Sequence, residues 1–274
     1  MHIQAIPMWS DNYAYVLSSK KTNNAVIVDP ASPPEVIPAL QQLAKSGLKF
    51  RGIVTTHHHH DHAGGNAEAL QFVYDSGNPF FNASSSPDIT VLGGEQCLAA
   101  THSPKHGEII KLFDGIKLTA LRTPCHTQDS ICFYAEDENA PEDSANGDIK
   151  RAVFTGDTLF IGGCGRFFEG KPEEMEAALN GILAKLPDDT KIYPGHEYTK
   201  ANAKFGWSVD QSDPVRQLVD YCSKNAETWG KFTIGQEKKH NVFMKTSDPA
   251  IQKTTGKSDP VQVMGKLRQM KNAA

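Results

Sequence analysis

Residues 57–62 form a dense polar cluster, in which four consecutive histidines are followed by an Asp-His pair. The stretch before the cluster, residues 51–56, indicates the end of a buried strand. Two glycines at 64–65 interrupt the chain after it, and Asn66 can cap the helix that follows. The cluster is therefore predicted on a strand-to-helix loop of an α/β fold, where open sheets place their chemistry.

The spacing within this loop favours metal binding. His57 and His59 alternate, so their side chains point the same way if the loop is extended, and Asp61 and His62 follow at once. Neutral imidazoles and a carboxylate suit zinc or iron. A lone histidine is more often structural, but this density of ligand-type residues favours a metal site over a solvated polar loop.

Further candidate ligands share one sequence context. Each follows an apolar strand after a short turn that contains Thr, Pro or Gly; they are His126, Asp157 and His196. Ligands at corresponding strand ends can converge on one edge of a sheet, and their recurrence favours a single site. The remaining histidines are interpreted as solvent-facing, outer-shell or structural: His2, His58, His60, His102, His106 and His240.

Length and composition place the chain among ordinary globular proteins. It has 274 residues, of which 39% are hydrophobic and 22% charged, which suits one large domain or one with a small addition. The N-terminus shows no signal or clear transit peptide, so a cytoplasmic location is predicted. The five cysteines are odd in number and form no Cys-x-x-Cys motif, which favours a reducing compartment.

Hydrophobic patterning predicts alternating strands and helices up to about residue 198. Strands are predicted at 13–17, 25–28, 51–56, 116–121, 130–134, 152–154 and 191–193, and helices at 34–45, from residue 67 onward, and at 172–186. Residues 75–105 indicate short strands and loops. The acidic, polar stretch 136–150 indicates an exposed loop.

The chain changes character after residue 198. Helical patterns follow the Asp-Pro pairs at 213–214 and 259–260, so residues 199–274 are predicted to form a small helical domain. This part carries 13 Lys and Arg against 7 Asp and Glu, although the whole chain has a net charge of −4. A basic tail on an acidic body suits an anionic ligand. Nucleic acid is disfavoured because the basic residues lack aromatic interleaving.

The HxHxDH string at residues 57–62 resembles the signature of the metallo-β-lactamase superfamily. That resemblance implies an αβ/βα sandwich with the small all-helical domain appended to residues 1–198. It also implies two divalent metal ions. The first would take His57, His59 and His126, the second would take Asp61, His62 and His196, and Asp157 would bridge them. Asp29 also follows a strand and could orient a ligand imidazole.

Four finer segments, at 123–127, 154–160, 162–170 and 193–199, resemble the glyoxalase II family of hydroxyacylglutathione hydrolases. The resemblance implies hydrolysis of S-(2-hydroxyacyl)glutathione, chiefly S-D-lactoylglutathione, to D-lactate and glutathione in methylglyoxal detoxification. A hydroxide bridging the metals would attack the thioester, with Asp61 and Asp157 as catalytic ligands. Zinc is the expected metal, with iron or manganese as alternatives. The family also implies a monomer, with no nucleic acid or membrane partner.

The resemblance extends to a glutathione pocket. Arg268 and Lys271 lie at i, i+3 on one predicted helix face, so both can meet a carboxylate. Arg166, Phe168 and Tyr198 match other residues of the pocket. Arg166 stands where animal enzymes usually carry Lys, and Phe168 replaces a Tyr, so one hydrogen bond to glutathione would be missing.

Other functions fit these residues less well than this hydrolase does. The main alternative is a sulfur dioxygenase that oxidises glutathione persulfide with one iron, against which stands the complete second ligand set. A β-lactamase or nuclease fits the basic tail less well, and a non-catalytic binding protein would not need every ligand position filled. Cys125 and Cys164 lie beside the predicted site and are interpreted as packing residues.

Overall fold

The computed structural model describes residues 1–75, 90–141 and 148–274. The chain divides into two compact units. Unit 1 comprises residues 1–122 and 129–156, and unit 2 comprises residues 123–128 and 157–274. The domain boundary near residue 198 stays a prediction.

A five-stranded sheet opens unit 1. Its strands lie in chain order: β1 (His2–Met8), β2 (Asn12–Ser18), β3 (Asn24–Val28), β4 (Lys49–Val54) and β5 (Val91–Leu92). The first three are antiparallel, whereas β3, β4 and β5 run parallel. The carboxyl ends of β3 and β4 therefore lie side by side, and the polar cluster follows β4 directly.

Two helices pack against this sheet. They are α1 (Pro33–Lys45), which links β3 to β4, and α3 (Asn66–Asp75), which follows the polar cluster. Val36 and Leu40 of α1 and Val73 of α3 are fully buried with Ile27 and Ile53 of the sheet. Burying each such side chain contributes roughly 1.5–3 kcal/mol. This core fixes the strand and the helix on either side of the polar cluster.

A second group of strands completes unit 1. These strands are β6 (Ile109–Phe113), β7 (Ile116–Arg122), β8 (Ile131–Asp137) and β9 (Arg151–Gly156), and they pair antiparallel in the order β9-β8-β7-β6. Tyr15 of β2 meets Phe154 of β9 with ring centroids 5.7 Å apart. The two sheets of unit 1 therefore pack face to face, as the sandwich prediction requires.

Two loop predictions are changed by the structure. The exposed loop predicted for 136–150 starts too early, because β8 continues through Asp137, which is 9% exposed. Its central part, residues 142–147, lies outside the described residues. The prediction of short strands and loops for 75–105 falls partly on residues 76–89, which are also outside them, while β5 supplies one such short strand.

Unit 2 begins with a short hairpin and an irregular helix. The hairpin pairs β10 (Leu159–Phe160) with β11 (Gly163–Cys164). The helix predicted for 172–186 is α-helical only in α4 (Pro172–Glu176), and it continues as a π-helix over Ala177–Ile182 and a 3-10 turn over Leu183–Lys185. The prediction of one regular helix was wrong in this respect. The strand predicted for 191–193 is β12 (Lys191–Pro194).

The rest of unit 2 is helical, as predicted. Its helices are α5 (Thr199–Val209), α6 (Asp213–Lys224), α7 (Ile234–His240), α8 (Pro249–Thr255) and α9 (Pro260–Asn272). Asp259 caps α9 by accepting a hydrogen bond of 3.0 Å from the Gln262 amide, with Pro260 in the first turn. Within the described residues, no helix is both long and apolar enough to cross a bilayer.

Candidate metal centre

Four of the predicted ligands lie together in unit 1, directly after β4. His57 is 1% exposed, and its Nε2 lies 3.2 Å from Nδ1 of His59. The rings of His57 and His62 have centroids 4.1 Å apart, and donor atoms of Asp61 and His62 lie within 4.8 Å of one another. The loop is extended only through His59, because a single helical turn, α2 (His60–Ala63), carries the last two ligands.

Asp29 anchors this cluster from the end of the neighbouring strand β3. Its Oδ2 lies 2.9 Å from Nδ1 of His62. The Thr56 amide donates to Oδ1 and the Thr56 hydroxyl to Oδ2, both at 2.7 Å. With Nδ1 of His62 donating to the carboxylate, Nε2 is the ring nitrogen left to ligate a metal. Asp29 therefore stands where the sequence prediction placed an orienting residue.

We expect Asp29→Asn to weaken metal binding about 10–100-fold, the usual cost of losing an outer-shell partner. The asparagine keeps an acceptor for Thr56, but its amide group faces His62 with a donor, so the imidazole loses its orienting carboxylate. Competition with a chromogenic chelator measures the metal dissociation constant. Unchanged affinity in a folded D29N protein would remove the orienting role.

The alternating histidines point away from this cluster. Nδ1 of His58 lies 2.8 Å from Oδ1 of Asp129, and His60 is exposed. Asp129 is 4% exposed and was not singled out by the sequence analysis. The loop is also pinned at Gly65, where an added Cβ would lie 2.0 Å from the carbonyl oxygen of Pro30. A residue with a side chain does not fit at this position.

Three predicted ligands lie together in unit 2. Oδ2 of Asp157 is 3.4 Å from Nε2 of His126, and Oδ1 is 3.5 Å from Nε2 of His196. The three residues are 9% exposed or less. The two carboxylate oxygens thus face different imidazoles, an arrangement in which one carboxylate can serve two cations roughly 3.5–4 Å apart.

A backbone carbonyl orients His126. Its Nδ1 lies 2.9 Å from the carbonyl oxygen of Arg166, which leaves Nε2 facing Asp157. The chain passes so close that a Cβ at Gly165 would lie 1.9 Å from the carbonyl oxygen of Asp157. Glycine is required here to let the loop reach the imidazole.

A cavity of about 390 Å³ in unit 2 gathers part of the predicted substrate pocket. Arg166, Phe168 and Arg268 line it, together with Gln269 and Asn272, which the sequence analysis did not identify. Each of these two residues directly follows a predicted pocket residue on α9. They were not predicted, because the i, i+3 spacing that identified Arg268 and Lys271 does not include them. The Phe168 ring is 60% exposed, so it is available to a ligand.

The other two predicted pocket residues have different surroundings. The Tyr198 ring stacks on His196, with centroids 4.7 Å apart and planes at 8°. Lys271 donates a hydrogen bond to Oδ1 of Asn202 and lies 5.9 Å from the ring centroid of Phe205. Neither residue is among the described residues that line the cavity.

Burial changes the ionisation of several groups in unit 2. It lowers the pKa of the Lys271 ammonium to about 8, and the nearby charge of Arg268 acts in the same direction. Burial raises the pKa of the Cys125 thiol to about 12 and that of Cys164 to about 11. Both cysteines are therefore thiols at neutral pH, which agrees with the packing role predicted for them.

Comparison with known proteins covers the whole chain. Residues 197–274 match the family model of the hydroxyacylglutathione hydrolase C-terminus, and residues 8–71 match that of the metallo-β-lactamase superfamily. The chain is 48% identical over 277 residues to the probable hydroxyacylglutathione hydrolase glo2 of Schizosaccharomyces pombe, covering 100% of this chain and 99% of that protein. It is 40% identical to the cytoplasmic isozyme of hydroxyacylglutathione hydrolase from Saccharomyces cerevisiae, covering 99% of each.

A solved structure shows the same fold. ETHE1 from Myxococcus xanthus superposes with a TM-score of 0.59 at 26% identity, covering 88% of this chain and 83% of that one. The curated relatives are more similar in sequence and match almost end to end, including the helical tail.

Proposed function

Because the chain belongs to the hydroxyacylglutathione hydrolase family of the metallo-β-lactamase superfamily, we propose that it hydrolyses the thioester of S-(2-hydroxyacyl)glutathione, chiefly S-D-lactoylglutathione. The products are glutathione and D-lactate, and the reaction completes methylglyoxal detoxification. The observation that carries the proposal is the 48% identity over the full length. This likeness includes both the ligand loop and the tail, so it extends beyond the metal motif.

The donor set of each unit fits divalent cations. Unit 1 offers three imidazoles and a carboxylate, and unit 2 offers two imidazoles on either side of the Asp157 carboxylate. We assign the first ion to His57, His59 and His126, the second to Asp61, His62 and His196, and the bridging position to Asp157. Zinc suits these nitrogen and oxygen ligands, and iron and manganese are alternatives.

Bound cations of this kind lower the pKa of water towards neutrality and stabilise negative charge on a carbonyl oxygen. The carboxylates of Asp61 and Asp157 hold and orient the attacking water. Glutathione leaves as a thiolate, whose conjugate acid has a reference pKa of about 8.5, so the leaving group needs no proton donor. Because water is the nucleophile, the reaction needs no nucleophilic side chain, consistent with the high thiol pKa of Cys125.

Glutathione itself is recognised in unit 2. It carries two carboxylates and one ammonium group, and the Arg166 and Arg268 guanidinium groups at the cavity are suited to carboxylates. We assign Phe168 and Tyr198 to the apolar and aromatic contacts and Lys271 to a second cationic contact. Phe168 offers a ring face without a hydroxyl, so it contributes packing and no hydrogen bond.

The buried Lys271 gives a pH dependence to substrate binding. Its pKa is lowered to about 8, so it is charged below that pH and neutral above it. A neutral lysine attracts a carboxylate less, and we expect KM to rise as pH increases, by up to about tenfold at pH 9. KM is measured from pH 7 to 9.5. In Lys271→Arg, whose guanidinium stays charged, the rise should disappear, and a flat wild-type profile would contradict the role of Lys271.

The proposed reaction is tested by thiol release from S-D-lactoylglutathione, with oxygen consumption recorded in the same vessel. Hydrolysis releases one thiol and one D-lactate per substrate and consumes no oxygen. Oxygen uptake with glutathione persulfide, without hydrolysis of the thioester, would instead support the dioxygenase alternative. A cytoplasmic location, a monomeric state and the absence of nucleic acid or membrane partners stay predictions.

A further inference from the structure

The segment from Ile161 to Arg166, termed the glycine loop, orients the imidazole of His126. Its last residue, Arg166, accepts the hydrogen bond from Nδ1 of His126 at 2.9 Å and also lines the cavity. Gly162 has a φ of +68°, in the left-handed region that favours glycine. A segment so rich in glycine loses more conformational freedom on ordering than others do. External contacts must therefore hold it in place.

Side chains from the helical part of unit 2 supply these contacts, one at each of the first four residues of the loop. The Asn202 amide donates to the carbonyl oxygen of Ile161 at 3.0 Å, and the Asn241 amide donates to that of Gly163 at 3.0 Å. The Arg268 guanidinium donates to that of Cys164 at 3.2 Å. The remaining bond runs the other way, from the Gly162 amide to the carboxylate of Glu237 at 2.9 Å.

Glu237 lies at the centre of this network. Its side chain is 0% exposed, and it accepts hydrogen bonds from Gly162, from Nδ2 of Asn241 at 2.8 Å and from Nε2 of His240 at 2.6 Å. Burying a carboxylate is costly unless it is fully hydrogen-bonded. A glutamate on α7 that merely filled space would be better replaced by an apolar residue. Glu237 contacts the glycine loop directly at Gly162 and also binds Asn241, which in turn binds Gly163 of the loop. These contacts indicate that Glu237 holds the loop in place.

We propose that Glu237 is a positioning residue, which fixes the glycine loop and thereby the imidazole of His126 and the guanidinium of Arg166. The inference deepens the proposed function and rests on it for the substrate contact. The helical tail then does more than bind glutathione, because its α7 also holds the loop that orients a metal ligand. No substrate or metal touches Glu237 in this account, and it acts only through the loop.

The test compares Glu237→Gln with Glu176→Gln. Glutamine keeps the size of Glu237 but removes its charge. Its amide oxygen can take the place of Oε2, which accepts from both Gly162 and Asn241, but both bonds then lose their charge assistance, and its amide nitrogen faces Nε2 of His240. Glu176 is the matched control: it is a partly buried glutamate of unit 2 that accepts from Asn180 at 2.8 Å and from Thr246 at 3.0 Å. Those partners lie outside the glycine loop.

Two readouts separate positioning from general stability. The first is the rate at which a chelator removes zinc from the loaded protein, without substrate present. His126 belongs to one of the two proposed ions, so in E237Q one phase of zinc release should accelerate about tenfold, the lower end of the cost of an outer-shell change. The second is KM for the thioester, expected to rise severalfold. In E176Q both should match the wild type.

The outcomes are distinct. Wild-type zinc release and KM in folded E237Q would overturn the proposal, and equal changes in E176Q would reduce it to a loss of stability. If E237Q does not fold, Glu237→Asp, which keeps the charge but withdraws it by one methylene, should show the same direction in both readouts. A wild type that fails to hydrolyse the thioester removes the proposed function, yet zinc release still tests the role of Glu237.

Discussion

Replacing Asp157 by asparagine is expected to lower kcat/KM for S-D-lactoylglutathione by more than about 100-fold and to reduce the metal content below about two ions per chain. Its two oxygens lie 3.4 and 3.5 Å from imidazole nitrogens of His126 and His196. Asparagine retains one oxygen, and its amide nitrogen is a poor metal ligand. Removing a direct ligand should exceed the roughly 10–100-fold cost of an outer-shell change.

Asp210→Asn is the matched control for this experiment. Asp210 is an aspartate of unit 2 that is as buried as Asp157, at 8% against 9% exposure, and it pairs with Lys245 at 2.6 Å. The control should lose stability but keep its metal and its turnover. A D157N protein that binds two metal ions and turns over at the wild-type rate would show that Asp157 is not part of the site.

The double substitution Arg268→Ala/Lys271→Ala is expected to raise KM for the glutathione thioester about 100-fold or more, with a smaller change in kcat. Each residue contributes a charge-assisted hydrogen bond worth about 1.5–3 kcal/mol, which is roughly 10–150-fold in binding. The two bonds are not fully additive, because both side chains lie near the Phe243 ring, at 5.8 and 6.0 Å from its centroid.

Two controls isolate the recognition of glutathione. Lys266→Ala removes another cation from α9, one outside the cavity lining, and should leave KM unchanged. A lactoyl thioester of N-acetylcysteamine lacks the carboxylates, so the double variant should lose much less activity on it than on the glutathione thioester, and the remaining loss should come from the missing bond between Arg268 and the glycine loop. An equal loss on that truncated substrate would mean that the two residues support the fold or the metal centre and not substrate binding.

Local sequence patterns were sufficient to identify the candidate ligand residues of each unit, and their role as metal ligands stays a prediction. The HxHxDH string places four donors in one loop, and the strands before His126, Asp157 and His196 place each of these at a strand end. The structure brings the four side chains of the loop together in unit 1 and the other three together in unit 2. Asp29 was identifiable because it directly follows a predicted strand. In the structure this strand, β3, is the parallel neighbour of β4, which leads to His57.

Features that depend on tertiary context are not marked in the sequence. Strand β1 was not predicted, since Pro7 interrupts its alternation, yet β1 lies at the edge of its sheet, where proline is tolerated. The helical turn α2 was not predicted, because the alternation of His57 and His59 was interpreted only for the case of an extended loop. Four residues of the loop are instead helical.

Long-range contacts were invisible for a different reason. Glu237 and Gly162 are separated by 75 positions, and Arg268 and Cys164 by 104. No periodicity in either segment indicates that they meet, so the network that holds the glycine loop could be found only from the structure. The irregular continuation of α4 into a π-helix is likewise unmarked in the sequence, where the apolar spacing remains that of an α-helix.

Zinc titration of the metal-free protein tests the central claim most directly. Thiol release from S-D-lactoylglutathione is followed while zinc is added in steps up to about three equivalents, with D-lactate and oxygen measured in the same samples. The rate should rise until about two equivalents are bound and then stay constant, with thiol and D-lactate formed equally and no oxygen consumed. Full activity at about one equivalent, or no thioester hydrolysis by the fully loaded protein, would contradict a two-metal hydrolase.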